Sequence, residues 1–282
     1  MPDETRLSPS DLFNLIGTTA CPVVLDVRSD EDFAVDPRLV PTAARRPGLA
    51  AAGWAQGFSA ESVVVYCERG LKISQGAAAW LRHAGARAAC LEGGFQAWKS
   101  AGLPLVPETK LPPRDAQDRT LWVTRARPKI DRIACPWLIR RFVDPAAVFL
   151  FVEASQVPAV AERFGATAFD VDGVFWSHRG EGCSFDTMVE ELGLATPPLL
   201  RLADIVRGAD TARPELAPQA AGLLAVSLGL SQVYGDDLAQ LDAALPVYDA
   251  LYRWARDAIT ETHSWPTSAS GIASGVREPA HV

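Results

Sequence analysis

The chain has 282 residues, a length at which two domains are the ordinary expectation. Its composition, 48% hydrophobic and 22% charged, provides enough apolar material for folded cores and excludes a wholly disordered protein. A net charge of -7 at pH 7 repels phosphates, which argues against nucleic acid or an anionic membrane surface as the partner. No apolar run reaches the roughly 18 to 20 residues needed to span a bilayer.

The amino terminus and the cysteines both favour a cytoplasmic protein. Residues 1–6 are polar and acidic, where a secretory signal has a basic start and an apolar stretch. The five cysteines are odd in number and include no C-x-x-C pair, which is typical of a reducing compartment.

The first third of the chain alternates β-branched runs with helical segments, the pattern of strand-helix units around a parallel sheet. We predict strands at 23–27 and 63–66, and helices at 74–85 and 94–102 that end at a glycine suited to a left-handed cap. These elements define a first domain of residues 1–107.

Periodicity is lost after Leu103, where prolines lie among polar residues, and we place a proline-stiffened linker at 108–120. Because this stretch carries few apolar residues, we expect the first domain to have its own core and to fold without the rest of the chain.

A second domain at 121–258 is predicted to be a mainly helical α+β unit. Its first elements are a strand at 121–124, a helix at 131–142, a strand at 148–152 and a helix at 155–164. After Phe185 the pattern is helical nearly to Ala258. Residues 259–282 have no apolar period, so we expect a flexible tail.

The segment Tyr66-Cys-Glu-Arg-Gly-Leu-Lys-Ile-Ser74 places Cys67 between a buried-type strand and a short loop that leads into a helix. Backbone N–H groups of such a loop converge on one anion, and the helix dipole adds positive potential, so a thiolate or persulfide is stabilised. We therefore predict that Cys67 is an acidic nucleophile. Cys21 and Cys90 have no helix start behind them and are predicted to be structural. The predicted substrate-binding loop consists of Glu68, Arg69, Gly70, Leu71, Lys72 and Ile73.

Three segments together resemble the rhodanese domain: Asp26-Val-Arg28, the loop from Cys67 to Lys72, and Leu91-Glu-Gly-Gly-Phe-Gln-Ala-Trp98. The resemblance covers residues 7–104 and implies a rhodanese-like parallel sheet with flanking helices. It also implies that Cys67 takes a sulfane sulfur from a small donor such as thiosulfate and passes it to a thiol acceptor. Asp26 and Arg28 are expected to support the loop.

Cysteine-dependent phosphatases use the same architecture, with an arginine six positions after the cysteine that binds phosphate through two hydrogen bonds. Ile73 occupies that position here, which disfavours phosphoester hydrolysis. Arg69 and Lys72 still provide positive charge for a dianionic sulfur donor. Many rhodaneses carry arginine at the position of Lys72.

The second domain contains a basic segment, residues 125–141, in which six cations are opposed by Asp131 alone. Asp131 is a candidate helix cap, and Lys129 and Arg132 near the helix start are candidate oxyanion-binding residues. A solvated basic face is an equally good interpretation of these residues.

The segment His178-Arg-Gly-Glu-Gly-Cys-Ser-Phe-Asp186 combines imidazole, thiol and carboxylate groups around a glycine-rich turn, which are the ligand types of divalent metals. We predict that His178, Asp186 and Asp210 converge on one Zn, Mn or Fe ion, with Cys183 as a further ligand. Glu181 is the alternative acid, and a hydrogen-bonded structural histidine is the competing interpretation. No organic cofactor is expected.

Residues 129–142 and 178–186 resemble the C-terminal domain of ChrB-type chromate resistance proteins, with a likeness that runs over 121–256. The resemblance implies an oxyanion-linked or metal-linked role, with chromate as a candidate ligand. Arg207 stands where histidine is expected in many relatives, which removes one potential ligand.

The predicted function is therefore a sulfurtransferase that carries a persulfide on Cys67, coupled to a ChrB-type domain. The alternative is a chromate- or redox-responsive transcriptional regulator that contacts DNA through residues 125–141. The acidic net charge and the lack of a recognisable helix-turn-helix count against this alternative.

Overall fold

The computed structural model describes residues 5–261, so of the predicted tail only 259–261 are described. The N-terminal unit, residues 5–107, is an α/β structure. Its strands are β1 (Arg6–Leu7), β2 (Val23–Asp26), β3 (Arg38–Leu39), β4 (Ala44–Arg45), β5 (Ser62–Tyr66), β6 (Arg87–Leu91) and β7 (Val106–Pro107). Its helices are α1 (Pro9–Leu15), α2 (Asp30–Val35), α3 (Ala51–Trp54), α4 (Lys72–His83) and α5 (Gly94–Ser100).

Five strands form one parallel sheet in the order β1-β6-β5-β2-β4. Side chains of β5 alternate between its two faces, as the two-residue period of a strand requires. Val63 and Val65 pack with α4, whereas Val64 and Tyr66 pack on the face covered by α1 and α5. Both faces are buried, which explains the continuous apolar run of this strand and confirms the predicted parallel-sheet fold.

The C-terminal unit, residues 121–261, is mainly helical, as predicted. Its strands are β8 (Leu121–Arg125), β9 (Val148–Val152) and β10 (Thr167–Ala168), which form a parallel sheet in the order β10-β8-β9. Its helices are α6 (Asp131–Phe142), α7 (Val157–Phe164), α8 (Ser184–Glu191), α9 (Pro197–Asp210), α10 (Ala220–Val233) and α11 (Asp237–Arg253), the last continued by a π-helical turn at Trp254–Ala258. Within residues 5–261, no helix is both long and apolar enough to cross a bilayer.

The segment between the two units is anchored rather than free. Asp118 forms an ion pair with Arg46 of the N-terminal unit, whereas Lys110 and Arg114 form ion pairs with Glu191 and Asp144 of the C-terminal unit. Leu105 and Val106 are buried in the same hydrophobic cluster as Trp98 of α5 and Phe142 of α6. The two units therefore share this cluster, whereas the α4 face of the five-stranded sheet has a separate cluster made of first-unit residues alone.

Gly17 marks a close approach of the two units. Its φ is +80°, and a Cβ atom there would lie 2.5 Å from Cζ of Phe142 and 2.7 Å from Cε1 of Tyr252. Nearby, the backbone N–H of Thr42 donates to the carbonyl of Phe142 at 2.9 Å. Only glycine combines this backbone conformation with the space that the two rings leave.

Gly17→Ala is expected to lower the free energy of unfolding by about 2 to 6 kcal/mol, because a left-handed non-glycine residue and an overpacked contact each cost about 1 to 3 kcal/mol. Urea denaturation of the full chain measures this change. Gly222→Ala is the matched control, since Gly222 lies in α10 with nothing within 4 Å of its added Cβ. This control should be neutral or stabilising by up to about 1 kcal/mol. Equal stability of Gly17→Ala and wild type would contradict the close approach.

Candidate functional site

Cys67 lies immediately after β5, at the carboxyl edge of the five-stranded sheet, and is 5% exposed. The loop that follows turns through Gly70, whose φ is +66°, into the N-terminus of α4. A Cβ atom on Gly70 would lie 2.6 Å from the carbonyl oxygen of Leu91, so the turn requires glycine. The carboxyl edge of a parallel sheet is where ligands bind in open α/β folds.

The N-terminus of α5 fixes the shape of the cysteine loop. The backbone N–H of Phe95 donates to the carbonyl of Cys67 at 3.0 Å, and that of Gln96 donates to the carbonyl of Glu68 at 3.0 Å. A Cβ atom on Gly94 would collide with the Cys67 carbonyl oxygen. The segment Leu91 to Trp98 thus has a physical role, since its glycines let α5 approach the loop backbone directly.

Asp26 and Arg28 form a fully buried ion pair with a 2.6 Å separation between Arg28 Nη2 and Asp26 Oδ2. The Arg28 guanidinium also donates to the backbone carbonyls of Asp36 and Arg38 and lies 3.8 Å from the ring centroid of Phe95. These contacts tie the end of β2 to the start of α5. Both residues therefore have the supporting position expected of them.

Hydrogen-bond donors around sulfur determine the acidity of Cys67. Burial alone would raise the pKa of the thiol, but the Ser74 hydroxyl and the backbone N–H groups of Ser74, Leu71 and Arg69 lower this pKa below its ordinary value. Ser74 Oγ lies 3.3 Å from the sulfur. By contrast, burial raises the pKa of Cys21 to about 11 and also raises the pKa of Cys90.

A cavity of about 600 Å³ opens over Cys67. Its lining includes the predicted loop residues Glu68, Arg69, Leu71, Lys72 and Ile73, together with Asp32, Val35 and Gln96. Gly70 forms the turn of the same loop. The structure thus brings the predicted loop residues together around the thiol, with the exposed Arg69 and Lys72 facing solvent.

Ser74→Ala is expected to raise the pKa of Cys67, because the hydroxyl donor is lost while burial is unchanged. The pH profile of alkylation by iodoacetamide should move to higher pH, and alkylation at neutral pH should slow, since only the thiolate reacts. Mass spectrometry assigns the labelled cysteine. Ser62→Ala, at the exposed other end of β5, should leave the profile unchanged. An unshifted profile in Ser74→Ala would show that the backbone donors alone set the acidity.

A second cluster of ionisable groups lies in the C-terminal unit, around Nε2 of His178. Asp131 Oδ2 is 3.3 Å from this nitrogen, Asp170 Oδ1 is 3.4 Å from it and Asp210 Oδ2 is 3.3 Å from it. Asp131, Asp170 and His178 each offer one donor atom within 4.8 Å of the others, which suits a metal ion. We call these four residues the His178 cluster.

Four separate segments supply the cluster. Asp131 is the first residue of α6, Asp170 follows β10, Asp210 is the last residue of α9, and His178 lies on the turn before α8. Ser184 holds two of the carboxylates, since its N–H donates to Asp131 at 2.6 Å and its hydroxyl donates to Asp170 at 2.8 Å.

The ionisable groups of the His178 cluster shift one another's pKa values. The hydrogen-bonded Asp131, with added attraction from Asp210 and Asp170, raises the pKa of His178 to about 9. Burial, together with repulsion from Asp131 and Asp170, raises the pKa of Asp210 to about 7. With these carboxylates around it, the imidazole of His178 is therefore protonated at neutral pH.

Asp186 does not join His178, and this part of the sequence prediction is corrected. Its carboxylate accepts the backbone N–H of Cys183 at 2.8 Å and forms an ion pair with Arg207. It therefore closes the N-terminus of α8, and Arg207 on α9 holds it there. Glu181, the alternative acid, is exposed and pairs with Arg213 at 3.2 Å.

Cys183 lies close to the cluster but in an unfavourable environment for a ligand thiolate. Its side chain is fully buried, and burial together with the negative charge of Asp131 raises its pKa far above the ordinary value. The neutral thiol is consequently the stable form in this structure.

The predicted oxyanion-binding residues have other positions than expected. Arg132 pairs with Asp170 at 3.3 Å and donates to the carbonyl of Ala126 at 2.9 Å. Lys129 lies exposed on the loop before α6. The structure does not gather these two side chains into one anion pocket.

Sequence reasoning treated Asp131 as a cap for its own helix and overlooked Asp170. The Asp131 carboxylate instead accepts N–H groups from α8, a helix distant in sequence. Asp170 follows β10, and β10 pairs in parallel with β8, the strand that precedes Asp131. Two acids that follow neighbouring parallel strands are a sequence signal for a shared site. β10 has only two residues, however, so its periodicity does not show that a strand precedes Asp170.

Comparisons with known proteins agree with this two-part architecture. Residues 8–101 match the rhodanese-like domain family, and residues 122–255 match the family described as ChrB, C-terminal domain. The chain therefore contains a rhodanese-like domain followed by a ChrB C-terminal domain.

Among curated proteins, Protein ChrB of Cupriavidus metallidurans is 38% identical over 133 residues. That match covers 46% of this chain and 39% of the relative, so the chain spans well under two thirds of the relative's length.

Solved structures similar to part of the chain include a rhodanese-related protein from Thermoplasma volcanium. It is 23% identical with a TM-score of 0.32, and the match covers 36% of this chain and 98% of that one. Another is thiosulfate sulfurtransferase from Pseudomonas aeruginosa, 26% identical with a TM-score of 0.31, where the match covers 38% of this chain and 20% of that one.

Proposed function

We propose that the protein is a rhodanese-type sulfurtransferase that carries a persulfide on Cys67, joined to a ChrB-type domain with an oxyanion-linked or metal-linked role in chromate resistance. One observation carries the enzymatic part of the proposal. Cys67 lies at the carboxyl edge of a parallel sheet, beneath an open cavity, with a thiol whose pKa is lowered by donors aimed at its sulfur.

With thiosulfate as donor, the Cys67 thiolate attacks the outer, sulfane sulfur. A sulfur–sulfur bond forms to Cys67 as the bond between the sulfane sulfur and the sulfonate sulfur breaks, and sulfite leaves with that bonding pair. A thiolate acceptor then attacks the outer sulfur of the persulfide, and Cys67 leaves as the thiolate. Each step is a displacement at sulfur, so no external oxidant or reductant is needed.

The loop is suited to both covalent states of Cys67. Backbone N–H groups and the N-terminus of the 12-residue helix α4 stabilise negative charge on the thiolate and on the persulfide. Arg69 and Lys72 attract a dianionic donor, whereas Asp32 and Glu68 line the same cavity and offset part of that attraction. Arg69 and Lys72 are therefore the residues that favour an anionic donor over a neutral one.

The cysteine loop lacks a side chain that phosphatase chemistry needs. Ile73 stands where a phosphatase loop carries its arginine, and an aliphatic side chain cannot donate two hydrogen bonds to phosphate.

The regulator alternative is not supported, because five of the six cations in the basic segment 125–141 have partners within the protein, and the sixth, Lys129, is exposed. Helix α6 is mostly buried, so it cannot enter a DNA groove. The partners of its cations are as follows: Arg125 and Arg132 contact Asp170, Arg140 contacts Asp242, Arg141 contacts Asp249, and Arg127 donates to the carbonyls of Ser231 and Tyr234.

Chromate enters the proposal through the likeness of the C-terminal unit to ChrB-type chromate resistance proteins. The proposed location of the protein is the cytoplasm. A persulfide on Cys67, and the thiols derived from that persulfide, are reducing sulfur species there. The oxyanion or metal bound by the second unit is the proposed target of that sulfur.

Cys67→Ser is expected to abolish sulfur transfer from thiosulfate to a thiol acceptor, a loss of at least about 1,000-fold, since the covalent step requires the sulfur atom. Sulfite release measures turnover, and mass spectrometry of the wild type should show a gain of one sulfur atom on Cys67. Circular dichroism checks that the variant is folded.

Cys21→Ser is the matched control, because Cys21 lies against Thr42 and away from the cavity. Its turnover per folded molecule should equal that of wild type. Undiminished turnover in Cys67→Ser, or no turnover in wild type with any sulfane donor, would end the sulfurtransferase proposal.

A further inference from the structure

One imidazole nitrogen faces three carboxylate oxygens at nearly the same distance in the His178 cluster. The separations from His178 Nε2 are 3.3 Å to Asp131, 3.4 Å to Asp170 and 3.3 Å to Asp210. Nε2 carries at most one hydrogen, so it can donate to only one of these oxygens at a time. A charge-assisted hydrogen bond is also shorter, about 2.7 to 2.9 Å. The hydrogen bond to Asp131 therefore accounts for one of the three contacts and leaves the Asp170 and Asp210 oxygens without a hydrogen from this nitrogen.

The same spacing is that of donor atoms sharing a metal ion. Metal–oxygen and metal–nitrogen bonds of about 2.0 to 2.2 Å in a tetrahedron place neighbouring donors about 3.3 to 3.6 Å apart. All three distances from His178 Nε2 fall in this range. A single ion in front of the imidazole can thus contact the nitrogen and the facing oxygens of Asp131 and Asp170, whose donor atoms all lie within 4.8 Å of one another.

Burial and charge favour a cation at this point. The side chain of Asp131 is 1% exposed and that of Asp170 is 7% exposed, and desolvated carboxylates are costly without strong compensation. Arg125 and Arg132 both contact Oδ2 of Asp170 and leave its Oδ1 facing the imidazole. Among residues 5–261, the cationic side chain in ion-pair contact with Asp131 and Asp210 is His178.

We infer that Asp131, Asp170 and His178 form a binding site for one divalent transition-metal ion, with the Asp210 carboxylate beside the imidazole. The N–H and hydroxyl of Ser184 already bond to the facing oxygens of Asp131 and Asp170, and each oxygen keeps a lone pair for the ion. Two hard oxygens and one imidazole suit Mn²⁺ or Fe²⁺ and also accommodate Zn²⁺. His178 is 43% exposed, so the ion keeps a face open to solvent or to an incoming anion.

The test uses the full chain, stripped with a chelator and then titrated with Mn²⁺ or Zn²⁺ by calorimetry. Wild type should bind one ion per chain and gain thermal stability on binding. Asp170→Asn and His178→Gln should each weaken Mn²⁺ or Zn²⁺ binding by at least about tenfold. Pulsed electron paramagnetic resonance of bound Mn²⁺ should show a coupled imidazole nitrogen in wild type that His178→Gln lacks.

Asp172→Asn is the matched control, because Asp172 is an exposed acid two positions from Asp170. Its affinity for either ion should equal that of wild type. Cys67→Ser should also bind as wild type, which separates this site from sulfur transfer.

The inference fails if wild type binds neither ion, or if Asp170→Asn and His178→Gln bind as tightly as Asp172→Asn. His178 would then be an imidazolium held by carboxylates. Should a buried aspartate variant fail to fold, His178→Gln alters a partly exposed side chain on a turn and decides the matter with the same two measurements.

Discussion

Parallel pairing of β5 with β2, and of β8 with β10, brings the carboxyl ends of neighbouring strands to one edge of each sheet. Cys67 follows β5, and Arg28, which supports the Cys67 region, follows β2. In the other sheet Asp131 comes after β8 and Asp170 after β10. Residues far apart in sequence therefore meet without long loops, since the strand ends already converge. Both chemical sites depend on this topological constraint.

Cys67 and Cys183 show how different environments give opposite properties to the same residue type. Each is a buried cysteine close to the N-terminus of a helix, which by helix dipole alone would favour a thiolate. Donors from the loop backbone and Ser74 surround Cys67, and its pKa falls. Burial raises the pKa of Cys183, and the negative charges of the neighbouring Asp131 and Asp186 raise it further. Burial and the charge of these neighbours together outweigh the helix dipole.

Local features of the chain were predicted well from the sequence, because they depend on residues that are neighbours in the chain. The valine run of β5, the glycines after α4 and α5, and the loop after Cys67 all follow from periodicity or turn chemistry within a few positions. Helix α6 was predicted at its observed bounds, Asp131–Phe142. The alternation of strands and helices was sufficient to give the class of the first fold.

Contacts between distant segments were harder to predict. Asp170 joins His178 only because β10 pairs with β8, and nothing near Asp170 in sequence shows this pairing. Asp186 was predicted to join His178, but it forms an ion pair with Arg207, which lies on another helix. The shared cluster was missed for the same reason, since Leu105 and Val106 were placed in the first domain and only the fold shows that they join Phe142 of α6 in one cluster.

Helix α6 links the two units physically. With 12 residues it is about 18 Å long. Asp131 at its first position belongs to the His178 cluster, while Phe142 at its last position packs against Gly17 of the N-terminal unit. Trp137 between them contacts Phe142 and Tyr252, which makes the helix part of a continuous aromatic core. Any rotation of the N-terminal unit at Gly17 must therefore displace one end of the element that positions Asp131. The contact at Gly17 thus joins the two units, and Lys110 and Asp118 of the segment at 108–120 form ion pairs with one unit each.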